Sequence, residues 1–354
     1  PSPPAPPFRK GSPMNAAFAH PLRNGRTQCR LCRHFCRLKP GERGRCGVRA
    51  GQATPPGLRT LVADGVAARH ADPVEKKPLY HFLPGSLAFS FGTEGCNLDC
   101  SWCQNDAISR GPAETGRVNA VPATPAALVQ SARAARCASI AFTYTEPTIF
   151  FELLVATADL ARADPPLDTL LISNGYQSPD CLDALRNRIT AANIDLKTFR
   201  DDSYRRWCGA RLHGVLDNLK RMRTFGWWLE VTTLLVPGVN DDEGELRDMA
   251  RFIRDELGPG TPWHLSAFYP CRRMRDRPPT PLSTLTKTAD MGQEEGLWFV
   301  YTGNVPPPLT RPTRCPRCGI ELVRRKGFRV EVRPGFDGAC PQCGRVVPGV
   351  WSAS

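Results

Sequence analysis

From about residue 87 to residue 302, short apolar runs alternate with stretches in which apolar positions recur every three or four residues. Short runs bounded by Gly, Pro, Asn or Asp predict strands, and the 3.6-residue recurrence predicts amphipathic helices. Strands are predicted over 87–93, 138–144, 169–173, 192–197, 229–236, 263–268 and 298–302. Helices are predicted near 125–136, 148–163, 179–188, 203–225, 241–257 and 282–295. Their punctuation supports them. Pro179-Asp180 opens one, Asp241-Asp242-Glu243 places acids in the first turn of another, and Gly226 and Gly258 close two. Repeated strand–helix alternation predicts an α/β fold with a parallel sheet and right-handed crossovers. About six units fit a partial (β/α)6 barrel of TIM-like type, in which chemistry collects where the strands end.

Outside this region the pattern changes. Residues 1–28 are Pro-rich and aperiodic, which predicts a disordered leader. Residues 29–57 carry four cysteines among Gly and Arg, and residues 58–305 contain the barrel. Pro306-Pro307-Pro308 reads as a stiff linker to a small module over residues 312–351. The chain has 354 residues, 41% apolar and 23% charged, which excludes a wholly disordered or fibrous protein. No apolar run approaches the ~18 residues of a membrane span. No secretion signal is evident, so a cytoplasmic location is expected.

The net charge of +13 permits a nucleic-acid partner. Arg outnumbers Lys 39 to 8 and no run of five basic residues occurs, so scattered solvated Arg is the simpler reading. Cysteine changes the picture more. Fifteen thiols in a chain without a secretion signal point to metal or cluster ligation rather than disulfides. Eleven fall into three groups: Cys29, Cys32, Cys36 and Cys46; Cys96, Cys100 and Cys103; and Cys315, Cys318, Cys340 and Cys343. Cys137, Cys181 and Cys208 lie in helical surroundings and read as small hydrophobes, while Cys271 directly follows a strand.

The first group, CxxCxxxCx9C, suits structural zinc or an auxiliary iron–sulfur cluster. The third, two CPxCG knuckles, has the spacing of a closed zinc ribbon, with a rubredoxin-like iron site as the alternative. The middle group, CxxxCxxC at the end of the first barrel strand, supplies three thiolates where a four-iron–four-sulfur cluster takes four, leaving one iron open to a small molecule.

With Trp102 before its last thiol, the CxxxCxxC run resembles the radical S-adenosylmethionine (SAM) signature. Cys29-Arg-Leu-Cys32-Arg-His-Phe-Cys36, Gly44-Arg-Cys46-Gly-Val-Arg49, Asp72-Pro-Val-Glu-Lys-Lys-Pro-Leu-Tyr-His-Phe-Leu-Pro-Gly85, Cys103-Gln-Asn105 and the terminal knuckles ending Pro348-Gly-Val-Trp351 resemble the AmmeMemoRadiSam-system enzymes, relatives of pyruvate formate-lyase activating enzymes. The resemblance implies a radical SAM barrel, a 4Fe–4S cluster on Cys96, Cys100 and Cys103, and reductive cleavage of SAM to a 5′-deoxyadenosyl radical that abstracts hydrogen from a substrate. It implies a flavodoxin or ferredoxin electron donor and allows partner proteins of the AmmeMemoRadiSam system. Carried over by motif, Glu146 of Thr145-Glu146-Pro147 would meet the SAM amino group. Ser173 and Asn174 would line the pocket, as would Asp195 and Lys197, with Trp102 beside the cluster and His264 as a further pocket residue. A glycyl-radical activase and a nucleic-acid-binding zinc protein are the alternatives.

Overall fold

The computed structural model describes residues 14–163, 165–306 and 310–352. Its centre is an eight-stranded sheet. Strand β1 (Ala68–Pro73) is an edge strand antiparallel to β2 (Leu87–Gly92). From β2 onward every neighbour is parallel: β3 (Ser139–Phe142), β4 (Asp168–Ser173), β5 (Ala191–Asp195), β6 (Trp228–Leu235), β7 (Trp263–Ala267) and β8 (Val300–Gly303). All seven strands expected from the sequence pattern are among these eight. The architecture is a mostly parallel α/β sheet. It carries seven parallel strands and an added antiparallel edge rather than six units, and no pairing joins β1 to β8 among the described residues.

Parallel strands are covered on both faces, so they tolerate little polar surface. All of β3 is buried, and Leu170 and Leu171 of β4 are fully enclosed. One face packs on helices α1 (Pro125–Ala134), α2 (Phe151–Ala161), α3 (Pro179–Leu185), α4 (Leu212–Thr224), α5 (Glu243–Phe252) and α6 (Leu282–Glu294). Thr124, Ser178 and Asp242 cap α1, α3 and α5 by accepting from the backbone N–H of Ala127, Cys181 and Glu245. The helix expected over 203–225 is interrupted. Gly209, at φ +69°, ends the segment Tyr204–Cys208, and α4 starts afresh at Leu212.

The opposite face, near the strand starts, is plugged. Ala88, Ala141, Leu170 and Ala191 pack against Val74, Leu79, Phe82 and Leu83 of the segment between β1 and β2. Beyond that plug sits the C-terminal module, whose three-stranded sheet (Thr313–Arg314, Glu321–Lys326, Arg329–Val332) shares a core with Tyr80, Phe299 and Tyr301. Backbone hydrogen bonds from Leu83 N to Val350 O and from Val350 N to His81 O, each 2.7 Å, stitch the two together. The expected stiff linker lies partly outside the described residues, at Pro307 and Pro308. The expectation of a module set apart by a stiff linker is corrected: the module is a packed layer.

The leader boundary is also corrected. Residues 1–13 lie outside the described residues, but the chain from Met14 onward is placed. Ala19–Pro21 pairs with Thr27–Cys29, Ala16 is buried in the main core, and Ala17 N donates to Glu152 Oε1 at 2.8 Å.

Candidate functional site at the strand ends

Strand β2 delivers the middle cysteine group to the C-terminal edge of the sheet. A Cβ on Gly92 would fall 2.2 Å from Thr143 O, so only glycine lets β2 and the chain after β3 approach this closely. Cys100 is buried, and Cys96 and Cys103 are half-buried. The loop is braced from two other strand ends. Asp99 N donates to Cys208 O and Ser101 N to Trp207 O, both at 2.9 Å. After β7, Arg273 N donates to Ser101 O at 3.1 Å, while the Arg272 guanidinium reaches Cys100 O and, at 2.6 Å, Asp99 Oδ1. Two sulfurs have polar neighbours of their own: Leu98 N donates to Cys96 Sγ at 3.4 Å, and Ser109 Oγ lies 3.2 Å from Cys103 Sγ. A loop fixed by so many external bonds presents its thiols on a rigid frame.

Cys208, the last residue of the segment Tyr204–Cys208 that follows β5 and absent from the expected site, is brought against Cys100. Its thiol's hydrogen bond is the main influence holding the Cys100 thiol below its ordinary pKa; burial opposes this, and the Lys197 ammonium assists. Lys197 pairs with Asp195 at 2.9 Å. Burial disfavours its charge, but Asp195, Cys100 and Cys208 outweigh burial and raise its pKa. The expected Asp195–Lys197 pair therefore stands beside the cysteine loop.

Asn174, just after β4, also belongs to this assembly. Its Nδ2 donates to Asn97 Oδ1 at 2.7 Å and lies 3.9 Å from Cys96 Sγ, and its Oδ1 accepts from Tyr176 N at 3.0 Å. Asn97 Nδ2 is buried without a partner, next in sequence to Cys96. An unpaired buried amide N–H is costly, so an acceptor there would relieve it. Three thiols, an adjacent lysine and an unfilled donor suit an anionic metal–sulfur group.

Other expected residues are placed differently. The Glu146 carboxylate is fully enclosed: Thr148 N (3.0 Å), Ser173 Oγ (2.8 Å), Asn174 N (2.8 Å) and the Thr148 hydroxyl all donate to it. Three of the donors converge on Oε1 and one reaches Oε2, so Glu146 braces two strand ends, with Oε2 the less fully paired oxygen. The Ser173 hydroxyl is likewise occupied, also accepting from Gly175 N and Gln177 Nε2. Trp102 is 3% exposed and packs in the main core, anchoring the loop rather than facing a ligand. Its carbonyl accepts from the Cys271 thiol at 3.3 Å, which places Cys271 at the loop's edge. His264 is the second residue of β7, at the opposite end of the sheet from the cysteines. It sits 2.5 Å from Glu230 and stacks on Tyr301. It is a core histidine.

The terminal cysteines form a compact site. Cys315, Cys318, Cys340 and Cys343 offer sulfurs all within 4.8 Å of one another, which could hold a metal ion. The N-terminal four are brought to the cysteine loop. The His34 ring N–H donates to Asn97 O at 2.8 Å, and Cys32 bridges to Gln177 just past Asn174.

A family model described as the radical SAM superfamily matches residues 91–252. An uncharacterized protein of Methanocaldococcus jannaschii is 38% identical over 318 residues, covering 90% of this chain and 93% of its own. Among solved structures, a domain of pyruvate-formate lyase-activating enzyme from Bacteroides vulgatus covers 47% of this chain and 99% of its own, at 15% identity and a TM-score of 0.40. A radical SAM methyltransferase from Sphaerobacter thermophilus covers 63% of this chain and 67% of its own, at 15% identity and a TM-score of 0.48.

Proposed function

Because the chain belongs to the radical SAM superfamily, we propose that Cys96, Cys100 and Cys103 hold a 4Fe–4S cluster with one open iron, at which SAM is cleaved to act on a hydrogen-bearing substrate. The observation that carries this is the rigid three-thiol loop at the end of β2, flanked by Lys197 and Asn174 from two neighbouring strand ends. Bound there, the cluster and SAM supply a 5′-deoxyadenosyl radical through one-electron cleavage of a sulfur–carbon bond. The chain's own residues do the rest. Cys208 and Lys197 favour the thiolate form of Cys100, the form a metal needs. The Asn97–Asn174 bond fixes the approach of Cys96, and Asn97 Nδ2 is the donor left for the bound group. Buried Leu98 and Trp102 keep water from the loop's inner side.

A low-potential flavodoxin or ferredoxin would supply the electron, and the terminal knuckles would hold one zinc. The narrower assignment to AmmeMemoRadiSam-system enzymes gains support from the Asp72–Gly85 motif. Asp72 binds Lys76 (2.9 Å), Lys77 (2.7 Å) and the Tyr144 hydroxyl (2.9 Å) beside the sheet's inner face, and the residues after it form the plug.

The test is anaerobic reconstitution followed by incubation with SAM and dithionite. Wild type should form 5′-deoxyadenosine. Any of Cys96→Ala, Cys100→Ala or Cys103→Ala should reduce it to background while far-ultraviolet circular dichroism stays native. Continued formation in the triple variant would end this reading.

A further inference from the structure

We infer that Cys29, Cys32, Cys36 and Cys46 form a second iron–sulfur site, a closed polynuclear cluster with four protein thiolates, rather than a zinc site. The chain brings the four together by local means. Thr27–Cys29 pairs with Arg37–Leu38, and Cys29 N donates to Cys36 O at 2.8 Å, closing the hairpin mouth around Cys32. Cys46 arrives on the turn in which Gly47 N donates to Gly44 O at 2.8 Å. A Cβ on Gly44 would lie 3.6 Å from Cys36 Sγ, so the turn passes directly over that thiol. Cys29, Cys32 and Cys46 are buried and Cys36 is half-buried; none is disulfide-bonded.

Spacing separates the two metals. Four thiolates on one zinc at ~2.3 Å stand about 3.8 Å apart. The terminal knuckles have that compactness: Cys315 and Cys343 sulfurs lie 3.5 Å apart, Cys318 and Cys340 3.6 Å. Among the described residues no other set of three or more potential ligands gathers within 4.8 Å, so the N-terminal thiols are more widely spaced than the knuckles. The Cys96, Cys100 and Cys103 set shares that wider spacing. In a four-iron cluster each thiolate binds a different iron, which demands such separation. One chain thus carries both kinds of geometry.

A second observation points to an anionic occupant. Arg49 is 1% exposed. Its terminal nitrogens bind Glu152 (2.9 and 3.2 Å) and Ala17 O (2.6 Å), yet its Nε is buried without a partner, and its charge acts on Cys29 and Cys46 as well as on Cys181. A buried, unpartnered N–H three residues past Cys46 is a donor left for an anionic occupant of this site. The site adjoins the first one through His34–Asn97 and Cys32–Gln177, but its identity does not depend on what the first site catalyses.

The experiment measures iron, acid-labile sulfide and zinc per chain in the anaerobically reconstituted full-length protein. In the Cys96→Ala/Cys100→Ala/Cys103→Ala variant, roughly half of the wild-type iron and sulfide should remain, with a brown chromophore and a dithionite-induced paramagnetic signal. Adding Cys36→Ser to that variant should reduce the remaining iron severalfold; Cys36 is the partly exposed member, so the fold tolerates the change. Loss of all iron in the triple variant overturns the inference, whether or not a second zinc appears. Unchanged iron in the triple variant would instead remove the proposal for the first site and leave this one supported.

Discussion

Glu146 shows how much a single side chain depends on its surroundings. Its motif position suggests a ligand contact, but its four donors make it a brace between the turn after β3 and the end of β4. Glu146→Gln replaces one acceptor oxygen by an NH2 group that must face a donor. The variant should lose about 1–3 kcal/mol of stability, the cost of leaving buried donors unsatisfied. Denaturant unfolding measures this. A native midpoint combined with a tenfold weaker SAM dissociation constant would restore the direct-contact role. The sequence conveyed the cysteines well because their spacing is local, set within eight residues between Cys96 and Cys103. It did not convey Cys208 against Cys100, because nothing in a helical pattern marks a thiol that meets another from more than a hundred residues away. For His264 a signal was available: the second residue of a strand lies at the wrong end for chemistry.

At the scale of elements, the strands were legible because burial on both faces leaves short apolar runs such as Ser139–Phe142. The plug over 74–83 was not. Its apolar residues Val74, Leu79, Phe82 and Leu83 follow neither period, since they fill the space left by the sheet rather than one face of a regular element. Its His81 is fully buried, 2.7 Å from Pro348 O through Nδ1 and 2.6 Å from the Tyr301 hydroxyl through Nε2. Burial lowers its pKa to about 4. The unfolded chain therefore takes up a proton near pH 6.5 that the folded chain refuses until about pH 4, so stability falls as pH drops through that window. By pH 5 the loss from this group should reach about 2 kcal/mol. Comparing urea midpoints at pH 7.5 and pH 5 for wild type and His81→Asn isolates it: the variant should be less stable at pH 7.5 but show a shallower decline. Parallel declines would mean that His81 does not set the slope.

For the whole molecule, the terminal module decides whether the metal sites are energetically separate. On sequence alone residues 312–351 look detachable, since Leu322, Val323, Phe336 and Val347 are scattered through an Arg-rich stretch. The structure spends those four on a core shared with Tyr80, Phe299 and Tyr301. Arg325, 3% exposed, lies 4.2 Å from the centre of the Tyr80 ring and donates to Tyr80 O at 2.6 Å, so a charge at the centre of the interface is held by the plug itself. A module of this size is too small to fold on its own apolar contacts, and a metal held by its four thiols would supply much of its folding free energy. Removing such a metal would then also withdraw the partners of Tyr80 O, His81 O and the Leu83 N–H. Chelation of the terminal site should therefore raise hydrogen exchange in three places together: residues 313–350, the plug at 80–83, and the starts of β7 and β8. The far ends of β2 to β5, held by Arg272, Asn174 and Glu146, should keep their protection, as should the cysteine loop. Exchange confined to 313–350 would show that the layer, though packed, contributes nothing to the sheet, and loss across β2 to β5 would show that the sheet cannot stand without it.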